Sequence, residues 1–161
     1  MKLFLLLFLF ATLLVAKSFY FHEQRYSAAL EKTLDFEGVI SFGVNSLKIK
    51  YKNTDKTIIF KNEEVDILQG SKRLKLSEEQ SLQMALFFET LLDIYHQRDV
   101  KLAKNFHIQQ HIRVVFFIPF GDIQEYIKKI ELYKDLKRVT SIKFFLQNND
   151  TIKIKIEHEI Q

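Results

Sequence analysis

The chain has 161 residues, 47% hydrophobic and 27% charged, which suits one domain with a real core and excludes a disordered chain. It contains no Cys, which excludes disulfides, thiolate metal sites, cysteine nucleophiles and a lipid-modified N-terminal Cys. Its four Gly form no phosphate-cradling motif, and a net charge of +4 is modest for a nucleic-acid binder, so no nucleic-acid partner is expected.

Residues 1–18, MKLFLLLFLFATLLVAKS, read as an address. Lys2 precedes an apolar run from Leu3 to Ala16, shorter than the roughly 20 residues of a membrane span. Ala16-Lys17-Ser18 offers small residues to a signal peptidase, and cleavage after Ala16 and after Ser18 both fit. An uncleaved anchor would export the rest equally. The remaining domain is expected to be 19–161, and the loss of Lys2 and Lys17 leaves 22 basic against 20 acidic groups, net +2.

Residues 22–34 have helical character, with Tyr26, Ala29, Leu30 and Thr33 on one face. From residue 36 the period changes to two. Five short strands follow in series, around 36–44, 47–52, 57–60, 65–68 and 73–76, with turns at Asn45-Ser46, Asn53 to Asp55, Asn62-Glu63 and Gly70-Ser71. That spacing predicts an antiparallel meander. Ser77-Glu-Glu-Gln80 is a capping box opening a helix from about Glu78 to His96. Its apolar arc is broader than one contact face requires. Asp99 caps a further short helix through Leu102 and Ala103. Strands follow from Phe106, then over Ile112–Phe120, whose two apolar faces fit a central strand that Pro119 ends. Residues 121–126 form a turn, and strands at 127–133, 139–146 and 151–160 close the chain. A sheet of nine or ten strands curls, its concave face must be covered, and the inserted helix is the cover.

Few constellations carry chemistry. His107 and His111 on one strand face would lie about 13 Å apart, too far to chelate one metal, so no metal and no cofactor is expected. The acids at 63, 64, 66, 78 and 79 belong to turns and a helix N-terminus, where the dipole favours them. Ser27, Ser41 and Ser81 lack a nucleophile elbow, and no enzyme is expected. Lysines 48, 50, 52, 153 and 155 read as solvated strand faces, or as a docking surface for an acidic partner or anionic headgroups. The signal with functional content is the excess of Phe and aliphatics. Ile40, Phe42, Leu47, Ile49, Tyr51, Ile58 and Phe60 would form an inward sheet wall, faced by Phe87, Phe88, Leu91 and Leu92 of the helix, with Phe116 on a later strand. They serve equally as plain core or as the walls of an apolar cleft, which binds acyl chains through area alone at about 25 cal/mol per Å².

The order of elements resembles the LolA-type periplasmic lipoprotein carriers. The local matches are Phe36-Glu-Gly38-Val-Ile40-Ser-Phe42, Leu47-Lys-Ile-Lys-Tyr51, Asp99 to Phe106, Phe117-Ile-Pro119, Ile127 to Leu132, Ile142 to Leu146 and Asn149 to Ile154, across most of residues 20–160. The resemblance implies an α+β, mostly antiparallel fold: one strongly curved, incomplete β-barrel with helices as a lid. It implies a monomeric periplasmic carrier that shields lipoprotein acyl chains between an inner-membrane exporter and an outer-membrane acceptor, without covalent chemistry. The family often carries Arg-Pro after the Gly38-to-Phe42 strand, the Arg contacting the lid; Gly43-Val44 stand there in this chain, and the family's Trp residues are absent. A carrier of a different lipid, or an envelope interaction module with a fully packed β core, are the alternatives.

Overall fold

A computed structural model describes residues 16–136 and 138–160. The apolar run of the expected address lies outside the described residues up to position 15. The chain from position 17 is already strand, so Lys17 and Ser18 belong to the fold: they pair with Phe42 and Ser41.

The strands are β1 (Lys17–Ser27), β2 (Lys32–Phe42), β3 (Ser46–Tyr51), β4 (Lys56–Lys61), β5 (Glu64–Gln69), β6 (Lys72–Leu74), β7 (Phe106–Gln110), β8 (Val114–Pro119), β9 (Ile127–Asp135), β10 (Arg138–Leu146) and β11 (Thr151–Glu159). Helix α1 (Glu78–Tyr95) and the four-residue α2 (Asp99–Leu102) lie between β6 and β7, and a 3-10 turn spans Gly121–Glu125. All strands join one antiparallel sheet in the order β6-β5-β4-β3-β2-β1-β11-β10-β9-β8-β7. Its ends, β6 and β7, do not pair with each other, so the barrel is open.

The expected helix at 22–34 is instead most of β1, a turn, and the start of β2. Helix formers in Ser27-Ala-Ala-Leu-Glu31 suggested the wrong period. The register of the whole sheet overrides them: β1 is the strand that joins the two meanders, paired to β2 along its full length and to β11 on its other side. Its aromatic and β-period content, Phe19, Phe21 and buried Glu23 on one face, is the signal that was outweighed. A second correction concerns β8. Its doubly apolar sequence suggested a central strand, yet it is next to the edge, between β9 and β7. The meander of β2 to β6 and the capping box at Ser77 and Gln80 match the sequence expectation.

Two neighbouring rings of α1 explain the curl. Phe88 packs on Phe60 of β4 at 6.2 Å between centroids, and Phe87 on Phe144 of β10 at 4.4 Å. β4 and β10 are five strands apart in the sheet order, about 24 Å if flat. One helix touches both only because the sheet wraps around it. The C-terminal half of α1 is then engulfed: Phe88, Thr90, Leu91, Leu92, Asp93 and Ile94 are all buried. The N-terminal half is not, and Leu82 is 53% exposed.

Gly38 has a steric reason. A Cβ there would lie 2.2 Å from the Lys50 carbonyl oxygen and 2.9 Å from the Phe21 ring. The backbone atom cannot yield cheaply. Gly38→Ala is expected to destabilise by about 1–3 kcal/mol in urea titration, from overpacking alone. An unchanged midpoint would show that β2 and β3 can separate at this point without cost.

Candidate functional site

The concave face leaves a cleft of about 440 Å³ under the N-terminal half of α1. Its helix wall is Gln83, Met84, Leu86, Phe87 and Phe88; its sheet wall is Ile49 and Tyr51 of β3, Lys56 and Ile58 of β4, Glu23 and Arg25 of β1, and Ile152 and Ile154 of β11. The 3-10 turn and the start of β9 close the side with Ile123, Tyr126 and Ile127. The lining is largely aliphatic and aromatic, and the volume falls within the range of about 300–1,000 Å³ usual for small-molecule sites.

One polar cluster interrupts this wall. Glu23 is 3% exposed and is held by two donors: Arg25 Nε, and Tyr51 Oη at 2.9 Å. Arg25 Nη2 in turn donates to Tyr51 Oη at 2.7 Å, and its guanidinium lies 4.8 Å from the Phe36 ring centroid. Glu23 and Arg25 are two apart on β1 and so share its inner face. Tyr51 reaches them from β3 across β2, past the residue that has no side chain, Gly38, which pairs with both Phe21 and Tyr51. Burial works against the Arg25 charge, but its bonds and attraction to Glu23, and to Tyr51, outweigh it and raise the group above its ordinary value. Burial, then the Glu23 charge, push the Tyr51 phenol upward, so it stays a donor. Lys56 stands beside the cluster with its Nζ 5.7 Å from the Tyr51 ring centroid. Burial and then repulsion from Arg25 hold it below the usual lysine value.

The residues expected as a lipid-binding wall divide into four groups. Ile49, Tyr51, Ile58, Phe87 and Phe88 line this cleft. Ile40, Leu47, Phe60, Leu91 and Leu92 are buried in the core beyond it. Phe42 stacks on Tyr95 at 3.8 Å and borders a second hollow of about 480 Å³ at the other end of α1. That hollow carries Lys17, Arg138 and Glu157 among its walls. Phe116 is a correction: it is on the outer face, between the His111 ring and Lys129 Nζ, whereas Phe117 points inward and is buried. In a strand apolar on both faces the sequence cannot set the parity. Glu23, Arg25 and Lys56 were missed, the first two because their segment read as helix. Ile152 and Ile154 belong to a strand whose one-sided alternation was visible, and that alternation could have placed them.

The far end of α1 is latched. His96 Nε2 is 2.7 Å from the Gly43 carbonyl oxygen, and Arg98 donates to the Val44 carbonyl, to Asn45 Oδ1 at 3.1 Å and to Asp93 Oδ1 at 3.1 Å. Gly43 and Val44 therefore contact the helix end through backbone carbonyls, with the Arg supplied from the helix side. Lysines 48, 50, 153 and 155 are exposed on the outer face, and Lys153 pairs directly with Lys143. Among the described residues no cluster of His or acidic groups could hold a metal, and no helix is long and apolar enough to cross a membrane.

No family model matches this chain, and no curated protein does. Among solved structures it is similar to a LolA superfamily protein of Nitrosomonas europaea, at 10% identity and TM-score 0.44, over 91% of this chain and 86% of that one. It is also similar to an outer-membrane lipoprotein-sorting protein domain of Vibrio parahaemolyticus, at 8% identity and TM-score 0.27, over 91% and 85%.

Arg25→Met leaves Glu23 buried with one donor fewer and is expected to cost about 3–5 kcal/mol. Adding Glu23→Gln should recover much of it, because the two changes are coupled through one network. Chemical denaturation of the two single variants and the double variant checks this; simple additivity would show that the cluster is not a unit.

Proposed function

We propose that this chain is a carrier that takes a single acyl chain into the cleft beneath the N-terminal half of α1 and releases it again. The cleft carries the reading. A packed-core interaction module has no use for about 440 Å³ of aliphatic-lined space. At about 30 Å³ per small group this holds roughly fifteen methylene-sized units. At about 0.8 kcal/mol per buried CH₂ that is roughly 12 kcal/mol gross. Association costs of about 4–15 kcal/mol reduce it to a net affinity that permits release. Direct capture by area asks for no covalent step, and the reading assigns none.

The moving part in this reading is not the whole helix. Lifting the C-terminal half would expose Phe88, Leu91, Leu92 and Ile94, at about 1.5–3 kcal/mol each, and break the bonds of His96 and Arg98 to the β2–β3 turn. The half-exposed N-terminal turns and the 3-10 segment are the cheaper gate. Removing the contact of a bound chain lets Phe87 and Met84 close on the sheet, which drives release. Leu91 belongs to the core that stays, so a charge there would test folding and not the gate.

The apolar N-terminal run supports export to the periplasm. Cleavage after Ala16 is the site that leaves β1 whole, since Lys17 and Ser18 pair with β2. In this setting the cargo would be lipoprotein acyl chains or another lipid, taken from an inner-membrane exporter and passed to an outer-membrane acceptor.

Met84 lines the cleft from a half-buried position, so Met84→Glu should leave the melting temperature within about 2 °C while placing a charge in the apolar space. Uptake of a fluorescent apolar probe is expected to fall at least tenfold. Equal uptake by the variant, together with repeated absence of acyl lipid in extracts of gently purified protein, would overturn the carrier reading.

A further inference from the structure

The cleft is apolar, yet its sheet wall carries two cations and one buried acid close together. Glu23 is occupied: it accepts from both Arg25 and Tyr51. Arg25 spends Nε and Nη2 on that cluster, and its Nη1 meets no acceptor among the described residues. Lys56 forms no ion pair among them either, and only the face of Tyr51 is near its Nζ. Glu125 is the fourth charged residue on the lining, but it belongs to the 3-10 turn of the opposite wall, and neither Arg25 nor Lys56 feels its charge. On the sheet wall one positive charge is therefore left uncompensated at the cleft, beside aliphatic surface.

A purely apolar cargo gains nothing from that charge and must leave it partly desolvated. An amphiphile with an anionic end gains an ion pair where water is already displaced, and charge-assisted bonds of this kind are about twice as strong as neutral ones. Ile58 and Ile49 adjoin Lys56 and Tyr51 on the same wall, so the anion and the first methylenes of its chain would be held by neighbouring residues.

We propose that the cleft selects a single-chain amphiphile ending in an acid group, a carboxylate or a phosphate, with the acid on Lys56 and Arg25 Nη1 and the chain running under Met84 and Phe87. This rests on the carrier reading above and names its ligand class.

The test is competition for the apolar probe by tetradecanoate, tetradecyl phosphate and tetradecanol on the full described domain and on Lys56→Gln. Lys56 contributes no bond to the Glu23 cluster, so the variant should fold, and its melting temperature is read alongside. The two acids are expected to bind at least tenfold tighter than the alcohol, and Lys56→Gln to reduce that preference at least fivefold while leaving the alcohol unchanged. The order of the two acids tells a fatty-acid cargo from a phosphate-bearing one. Equal binding of acid and alcohol, or a preference untouched by Lys56→Gln, overturns the selection while the carrier reading stands. If all three fail to displace the probe, the carrier reading falls with it.

Discussion

The packing of two adjacent phenylalanines, Phe87 and Phe88, against strands five places apart is the constraint on which the rest depends. A sheet of eleven strands has far more apolar inner face than one helix can cover. Wrapped around α1, the sheet buries that face efficiently where the helix runs deep and incompletely where it rises out. The same act of packing thus makes a dry core around Leu91, Leu92 and Ile94 and a cleft around Met84 and Phe87. Neither could be moved independently of the other, because both lie on one continuous helix.

The ends of that helix are treated differently. The C-terminal end is bonded to the β2–β3 turn by His96 and Arg98, and its buried Asp93 is paired with Arg98. The N-terminal end has only its capping box and exposed side chains. A difference in local stability along one helix follows from this contrast, with the less stable half next to the cavity. The polar cluster of Glu23, Arg25 and Tyr51 stiffens the facing sheet wall, so the two sides of the cleft differ in how readily they yield.

Much of the sheet was legible because alternation is a strong signal where one face is wet. β3, with Leu47, Ile49 and Tyr51 between lysines, and β11, with Ile152, Ile154 and Ile156 between polar residues, were assigned with the right faces. The capping box of Ser77 fixed the start of α1. Three things were not legible. β1 joins the two halves of the sheet, and its pairing to both neighbours is non-local, so Ala28-Ala29-Leu30 pulled the reading toward helix. β8 is apolar on both faces, which left Phe116 and Phe117 indistinguishable. The sites of Glu23, Arg25 and Lys56 depend on three strands brought together, and Tyr51 reaches the first two only across Gly38. The wall residues chosen from the sequence had the right inward face on β2, β3 and β4, but inwardness does not separate cleft from core; the path of α1 does that.

The absence of Trp from the chain makes one measurement especially direct. A single tryptophan placed by F87W reports from the cleft, and one placed by Y95W reports from the latched end of the same helix. With a brominated single-chain acid as quencher, the cleft reporter should lose most of its fluorescence at saturation while the Y95W reporter keeps nearly all of its own. Equal quenching of both, or quenching confined to Y95W, would contradict the assignment of the acyl site to the N-terminal half of α1.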